Sequence, residues 1–185
     1  MTKVFIIHGF EGRPNGGWRP WLMGELDKLD IYACSLSMPT PDYPKCDEWT
    51  NEISRHVENN SQDEIYLIGH SLGVPAILRY LETSKAENIA GAILVSGPSE
   101  RIENKRLLSF LDRDFDFKAI LIKCHKFSII HGDNDPLVPL DNAEFLAKEL
   151  NGELTIVKDG GHLNSSAGWN TLPQCLEAVV KLIEA

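Results

Sequence analysis

A chain of 185 residues, 43 % apolar and 24 % charged, can bury one full hydrophobic core, which excludes a disordered or fibrous protein and a small scaffold dependent on staples. Its formal charge of −9, with no Lys/Arg cluster denser than Arg101, Lys105 and Arg106, sets a field hostile to a phosphate backbone, so nucleic acid is not an expected partner. The apolar run at 4–7 is too short for a signal-peptide core and that at 89–95 too short for a bilayer span, so a cytoplasmic protein without membrane association is expected.

Taken in chain order, short Val-, Ile- and Leu-rich runs alternate with longer amphipathic stretches, the pattern of a parallel sheet covered by helices on both faces. The first strand falls at 3–8 and leads into Gly9-Phe10-Glu11-Gly12 and a helix at 18–29. A strand at 31–36 and a helix at 46–59 follow, then a strand at 64–69 running into a helix at 72–83. The fourth strand spans 89–95. Residues 98–123 are irregular and highly charged around Leu107, Leu108, Phe110 and Leu111, which suits a crossover helix or a short lid. Strands at 126–131 and 153–157 then alternate with helices at 141–150 and 173–184. No repeat or linker-like stretch interrupts this, so the expectation is one α/β domain over 1–185, with six strands in the order 2-1-3-4-5-6.

Four cysteines, Cys34, Cys46, Cys124 and Cys175, lie far apart with no C-x-x-C pair, so neither a metal site nor a disulfide framework is expected and the thiols read as free.

Gly69-His70-Ser71-Leu72-Gly73 matches G-x-S-x-G, a spacing whose purpose is steric: a serine on a strained strand-to-helix turn needs glycine two places to either side. The pentapeptide alone would arise by chance about once in twenty chains of this length. Its flanks supply the specificity, because 65–68 reads as a buried strand and 72–80 as a helix whose first turn accommodates Pro75. A serine hydroxyl is a poor nucleophile at neutral pH and requires an imidazole to take its proton and a carboxylate to orient that imidazole.

Both partners are available in the order Ser, acid, His. After the fifth strand, His131-Gly132-Asp133-Asn134-Asp135-Pro136-Leu137-Val138-Pro139 carries two aspartates. Asp135 is the preferred acid, with Asp133 the alternative, because Asp133 and Asn134 read as turn formers bonding their own backbone. After the sixth strand, Asp159-Gly160-Gly161-His162 lets the chain turn sharply and presents His162 as the base. His8 and His131 end strands and could line the site, His70 packs within the elbow, and His56 and His125 lie on peripheral segments. Backbone amides of Leu72 and Phe10 are the expected oxyanion donors. A phosphate-cradling role for the 8–12 loop fails, since neither Walker nor Rossmann spacing is met and no nucleotide or other cofactor is expected.

With these motifs in place, the chain resembles the retinoblastoma-binding-protein-9 and YdeN family of small α/β-hydrolases almost end to end. Gly17-Trp18, Trp21-Leu22, Glu25-Leu26, Met38-Pro39 with Pro41, Trp49 and Ala92-Ile93-Leu94-Val95-Ser96 add to the likeness. The resemblance implies a capless serine hydrolase in which Ser71, Asp135 and His162 take the catalytic positions and small esters or amides are the substrates. It does not carry over retinoblastoma-protein binding, because no cysteine here has the Leu-x-Cys-x-Glu setting; Cys34, for example, lies between Tyr32 and Leu36. Trp18, Leu137 and Trp169, with Trp21, Phe110 and Phe115, are candidates for a substrate pocket, each also suited to core packing. Two rival readings stay open: a non-catalytic binding module on a hydrolase fold, and a thioesterase or acyltransferase using the same three residues.

Overall fold

The strands form because their residues are apolar on both sides of the pleat, so the sheet is stable only when helices cover both faces. In the computed structural model, which describes residues 1–100 and 104–185, six parallel strands make one sheet: β1 (Thr2–Ile7), β2 (Tyr32–Ser35), β3 (Glu64–His70), β4 (Ile89–Val95), β5 (Phe127–Gly132) and β6 (Glu153–Val157). Their order is β2-β1-β3-β4-β5-β6, as expected.

The two-residue period of each strand splits the core in two. Val4 and Ile6 of β1, Tyr66 and Ile68 of β3 and Ile93 and Val95 of β4 pack with α1 (Arg19–Asp27) and α7 (Pro173–Glu184). Phe5, Ile7, Leu67 and Leu94 face the other way, against α2 (Cys46–Glu58), α3 (Gly73–Thr83) and α6 (Leu140–Leu150). Every residue from Gly73 to Leu81 is buried, and α3 is correspondingly apolar except for Arg79 and the Tyr80 hydroxyl.

Residues 105–123 form a packed crossover from β4 to β5 rather than a free lid. A 3₁₀ turn over Lys105–Leu107 leads into α4 (Leu108–Leu111) and, after a break, α5 (Phe117–Lys123). Phe110 is fully buried with its ring 5.5 Å from that of Trp49, and Ile120 enters the same core. Arg101, one of the three scattered cations of the sequence, lies outside the described residues.

Strand order reverses between β1 and β3, because the chain leaves β1 toward β2 and leaves β3 toward β4. A crevice at the carboxyl ends of these two strands is the ordinary ligand position in such sheets. The loops after β1 and β3 meet there.

Candidate active site

At the end of β3 the chain enters α3 through Ser71, whose φ of +54° lies in the left-handed region that side chains other than glycine rarely adopt. The turn is held by bonds from Ser71 N to Val95 O (2.8 Å) and from Val74 N to Ser71 O (2.9 Å). The flanking glycines are sterically required: a Cβ on Gly69 would come within 2.7 Å of the Gly73 carbonyl, and one on Gly73 within 2.2 Å of Ile7 O.

His162 bridges Ser71 and Asp135. Its Nε2 lies 2.9 Å from Ser71 Oγ and its Nδ1 lies 2.7 Å from Asp135 Oδ2. Asp135 spends its other oxygen on the amides of Leu137 (2.8 Å) and Val138 (3.0 Å), which fixes the carboxylate plane. Its side chain is fully buried. Burial alone would raise the carboxyl pKa, but the bonds from His162, Leu137 and Val138 outweigh it and hold the group below the usual aspartate value.

The histidine loop is built around this contact. Trp18 Nε1 donates to Leu163 O (2.9 Å), His70 Nε2 bonds His162 O (3.0 Å), and Trp169 Nε1 donates to Gly160 O (2.7 Å). Burial pushes the His70 pKa down to about 3, so its ring is neutral and Nε2 carries the proton it donates. Asp133 Oδ1 accepts from Asp159 N and Asn134 Oδ1 from Gly161 N, each at 2.7 Å. The sequence expectation that these two side chains bond their own turn is therefore corrected: β6 lies beside β5, and the donors they meet belong to the next loop.

The loop after β1 supplies the other wall. Gly9 approaches the serine so closely that a Cβ there would lie 2.9 Å from Ser71 Cβ. His8 pins this loop to the one after β2: Nδ1 donates to Gly9 O (2.8 Å) and Nε2 accepts from Met38 N (3.4 Å). Burial lowers its pKa to about 4, so it is neutral in this role. Among the described residues neither the Phe10 nor the Leu72 amide has an acceptor, leaving both N–H groups available beside Ser71. Phe10 is covered by the Arg106 guanidinium, 4.6 Å from its ring centre.

A serine hydrolase family model matches residues 4–181. The chain belongs to the serine hydrolase family. It is 34 % identical over 176 residues to the YdeN protein of Bacillus subtilis (strain 168), covering 94 % of this chain and 92 % of that one. To the serine hydrolase RBBP9 of Rattus norvegicus it is 26 % identical over 170 residues, 89 % of each chain. The crystal structure of the B. subtilis ydeN gene product superposes with a TM-score of 0.93 over the whole of both chains. The fold is therefore that of the α/β-hydrolase-like serine hydrolases, and the resemblance read from the motifs holds along the chain.

In this member of the serine hydrolase family, a cleft of about 770 Å³ opens on Ser71 and His162. Of the suggested pocket residues, Trp18 and the largely exposed Leu137 line it. Trp169 does not: its indole N–H is turned onto Gly160 O, bracing the histidine loop. Trp21 and Phe110 pack in the two halves of the core, and Phe115 lies under the Arg79 guanidinium at 4.0 Å. Among the described residues no helix is long and apolar enough to cross a membrane, and no cluster of three or more His, Cys, Asp or Glu side chains is placed to hold a metal ion. Burial pushes the Cys46 thiol up to about 11 and that of Cys124 to about 12, so both are held as thiols at neutral pH.

Proposed function

We propose that this serine hydrolase cleaves small carboxylic esters or amides through an acyl-enzyme formed on Ser71. The observation that carries this reading is the pair of bonds on His162, 2.9 Å to Ser71 Oγ and 2.7 Å to Asp135 Oδ2, inside a cleft that admits a small molecule. His162 Nε2 takes the hydroxyl proton as Ser71 Oγ attacks the carbonyl carbon. The imidazolium so formed is stabilised by Asp135, and the negative oxygen of the tetrahedral intermediate sits between the Phe10 and Leu72 amides. Collapse breaks the bond to the alcohol or amine, which leaves with the proton from His162. Water then attacks the acyl-serine with the same histidine as base, releasing the acid and restoring the hydroxyl.

The test is a panel of nitrophenyl esters of increasing chain length beside aminoacyl amides, with fluorophosphonate labelling. Native protein is expected to label at Ser71 and to turn over the short esters. Ser71→Ala is expected to lose both at an almost unchanged melting temperature. Full turnover in that variant excludes Ser71 as nucleophile, and a native protein that neither labels nor turns over any substrate is a binding module instead.

A further inference from the structure

The cleft beside Ser71 contains a cation that the reaction scheme does not use. Arg19 is the first residue of α1 and lines the cleft, and it is 94 % buried by its 6 % relative exposure. Among the described residues no carboxylate lies within 4 Å of it. Among the described residues, one of its five N–H donors, at Nη2, bonds a protein acceptor, the Arg13 carbonyl at 2.9 Å, while Nε is buried with no partner there.

This is an expensive way to keep an arginine. A guanidinium out of water needs a counter-ion to offset its desolvation, and this one also stands at a helix N-terminus, where the backbone dipole repels cations. The first turn of α1 has no acidic residue to compensate. Burial pulls its pKa down to about 10, still far above neutral pH, so the charge remains.

Arg79, the other deeply buried arginine, shows what a structural arginine looks like in this chain. Its Nε bonds Phe110 O (2.9 Å), its Nη1 reaches Glu82 Oε1 (2.9 Å) and Asp114 O (3.1 Å), and its Nη2 bonds Arg113 O. Arg19 has no such set. Among the described residues, Glu11 and Arg13 on the cleft wall are already engaged: Glu11 pairs with Arg106 at 3.4 Å, and Arg13 with Asp42 at 3.5 Å. His8 and His70 are neutral.

We propose that Arg19, at the start of α1, binds an anionic group, carboxylate or phosphate, on the molecule whose carbonyl Ser71 attacks, so that the preferred substrates are small acidic esters or amides. The inference rests on the hydrolase reading above and adds a substrate class to it. In a chain of net charge −9, a cation walled into the active-site cleft recruits against the overall field, and binding energy at this remote group is available to hold the scissile bond in place.

The experiment compares 4-nitrophenyl hydrogen adipate with 4-nitrophenyl hexanoate, which have equal chain length and differ by one carboxylate. Wild type is expected to favour the adipate. In Arg19→Gln the adipate-to-hexanoate ratio of kcat/KM is expected to fall about tenfold or more, mainly through KM, and Arg19→Lys is expected to recover part of it. Inhibition of hexanoate hydrolysis by free glutarate and by inorganic phosphate, at constant ionic strength, separates the two anions. An equal ratio in wild type and Arg19→Gln overturns the proposal. A lowered melting temperature with the same loss on both esters in both variants assigns Arg19 to the fold instead. Calorimetric binding of monomethyl adipate against methyl hexanoate to Ser71→Ala, and to Ser71→Ala with Arg19→Gln, reads the subsite without turnover. Hydrolysis without anion preference removes the subsite and leaves the hydrolase, whereas Arg19-dependent binding without hydrolysis does the reverse.

Discussion

Asp133 and Asp135 stand two residues apart on one turn and serve different partners, Asp135 the imidazole of His162 and Asp133 the amide of Asp159. Asp135→Asn replaces a charged acceptor by an amide that cannot stabilise the imidazolium and favours the wrong tautomer, and turnover of a nitrophenyl ester is expected to fall about 10⁴-fold. Asp133→Asn keeps an oxygen for Asp159 N and is expected to cost far less; comparable losses in the two variants would remove the distinction. At this scale Ser71 and His162 were legible because each sits in a local pattern, the elbow flanks and the Gly-Gly turn. What Asp133 and Asn134 bond was not, since their donors lie on another strand's loop, 26 and 27 residues away. Arg19 was equally invisible: an arginine beside Trp18 reads as a solvated helix start until the fold closes over it.

The strands were readable for the same reason they are stable: with helices on both faces, most positions of the inner strands are apolar. The β4-to-β5 crossover was not, because α4 spans four residues and α5 seven, too short to display a helical period, and α5 begins on a side-chain cap from Asp116 to Ala119 N. Its order comes from α3, whose Arg79 gathers three carbonyls of the crossover, those of Phe110, Arg113 and Asp114. Glu82, also buried, is held by Arg79 and by Arg113 Nη2 at 2.7 Å and accepts from Asp116 N at 2.7 Å. Arg79→Met therefore strands three acceptors and half of an ion pair. It is expected to lower unfolding free energy by about 3 kcal/mol, read as a shift of the urea midpoint at unchanged slope. A midpoint within error of wild type would show that Arg113 and the backbone hold the crossover without Arg79.

For the molecule as a whole, the site's supporting histidines set a direction for stability against pH. His8 and His70 are buried beside the cleft, and burial lowers their pKa values from 6.5 to about 4 and about 3. As pH falls below 6.5, the unfolded chain protonates both while the native protein binds neither, so unfolding takes up protons and becomes more favourable with each step down. The loss continues until the native pKa values are reached. Asp135 adds to it only in more acid solution: its folded pKa is depressed, so the stability it contributes is present above the ordinary carboxylate value of 3.8 and disappears as pH drops through the folded one. Since each pH unit of separation between folded and unfolded pKa is worth about 1.36 kcal/mol per group, against a total of roughly 5–15 kcal/mol for a domain, the two histidines can consume much of the native margin. Urea midpoints are expected to fall steeply from pH 6.5 to pH 4. His70→Gln, which retains a donor for His162 O and cannot titrate, is expected to flatten that slope; a midpoint independent of pH across this window in the wild-type protein would mean that neither histidine is held neutral.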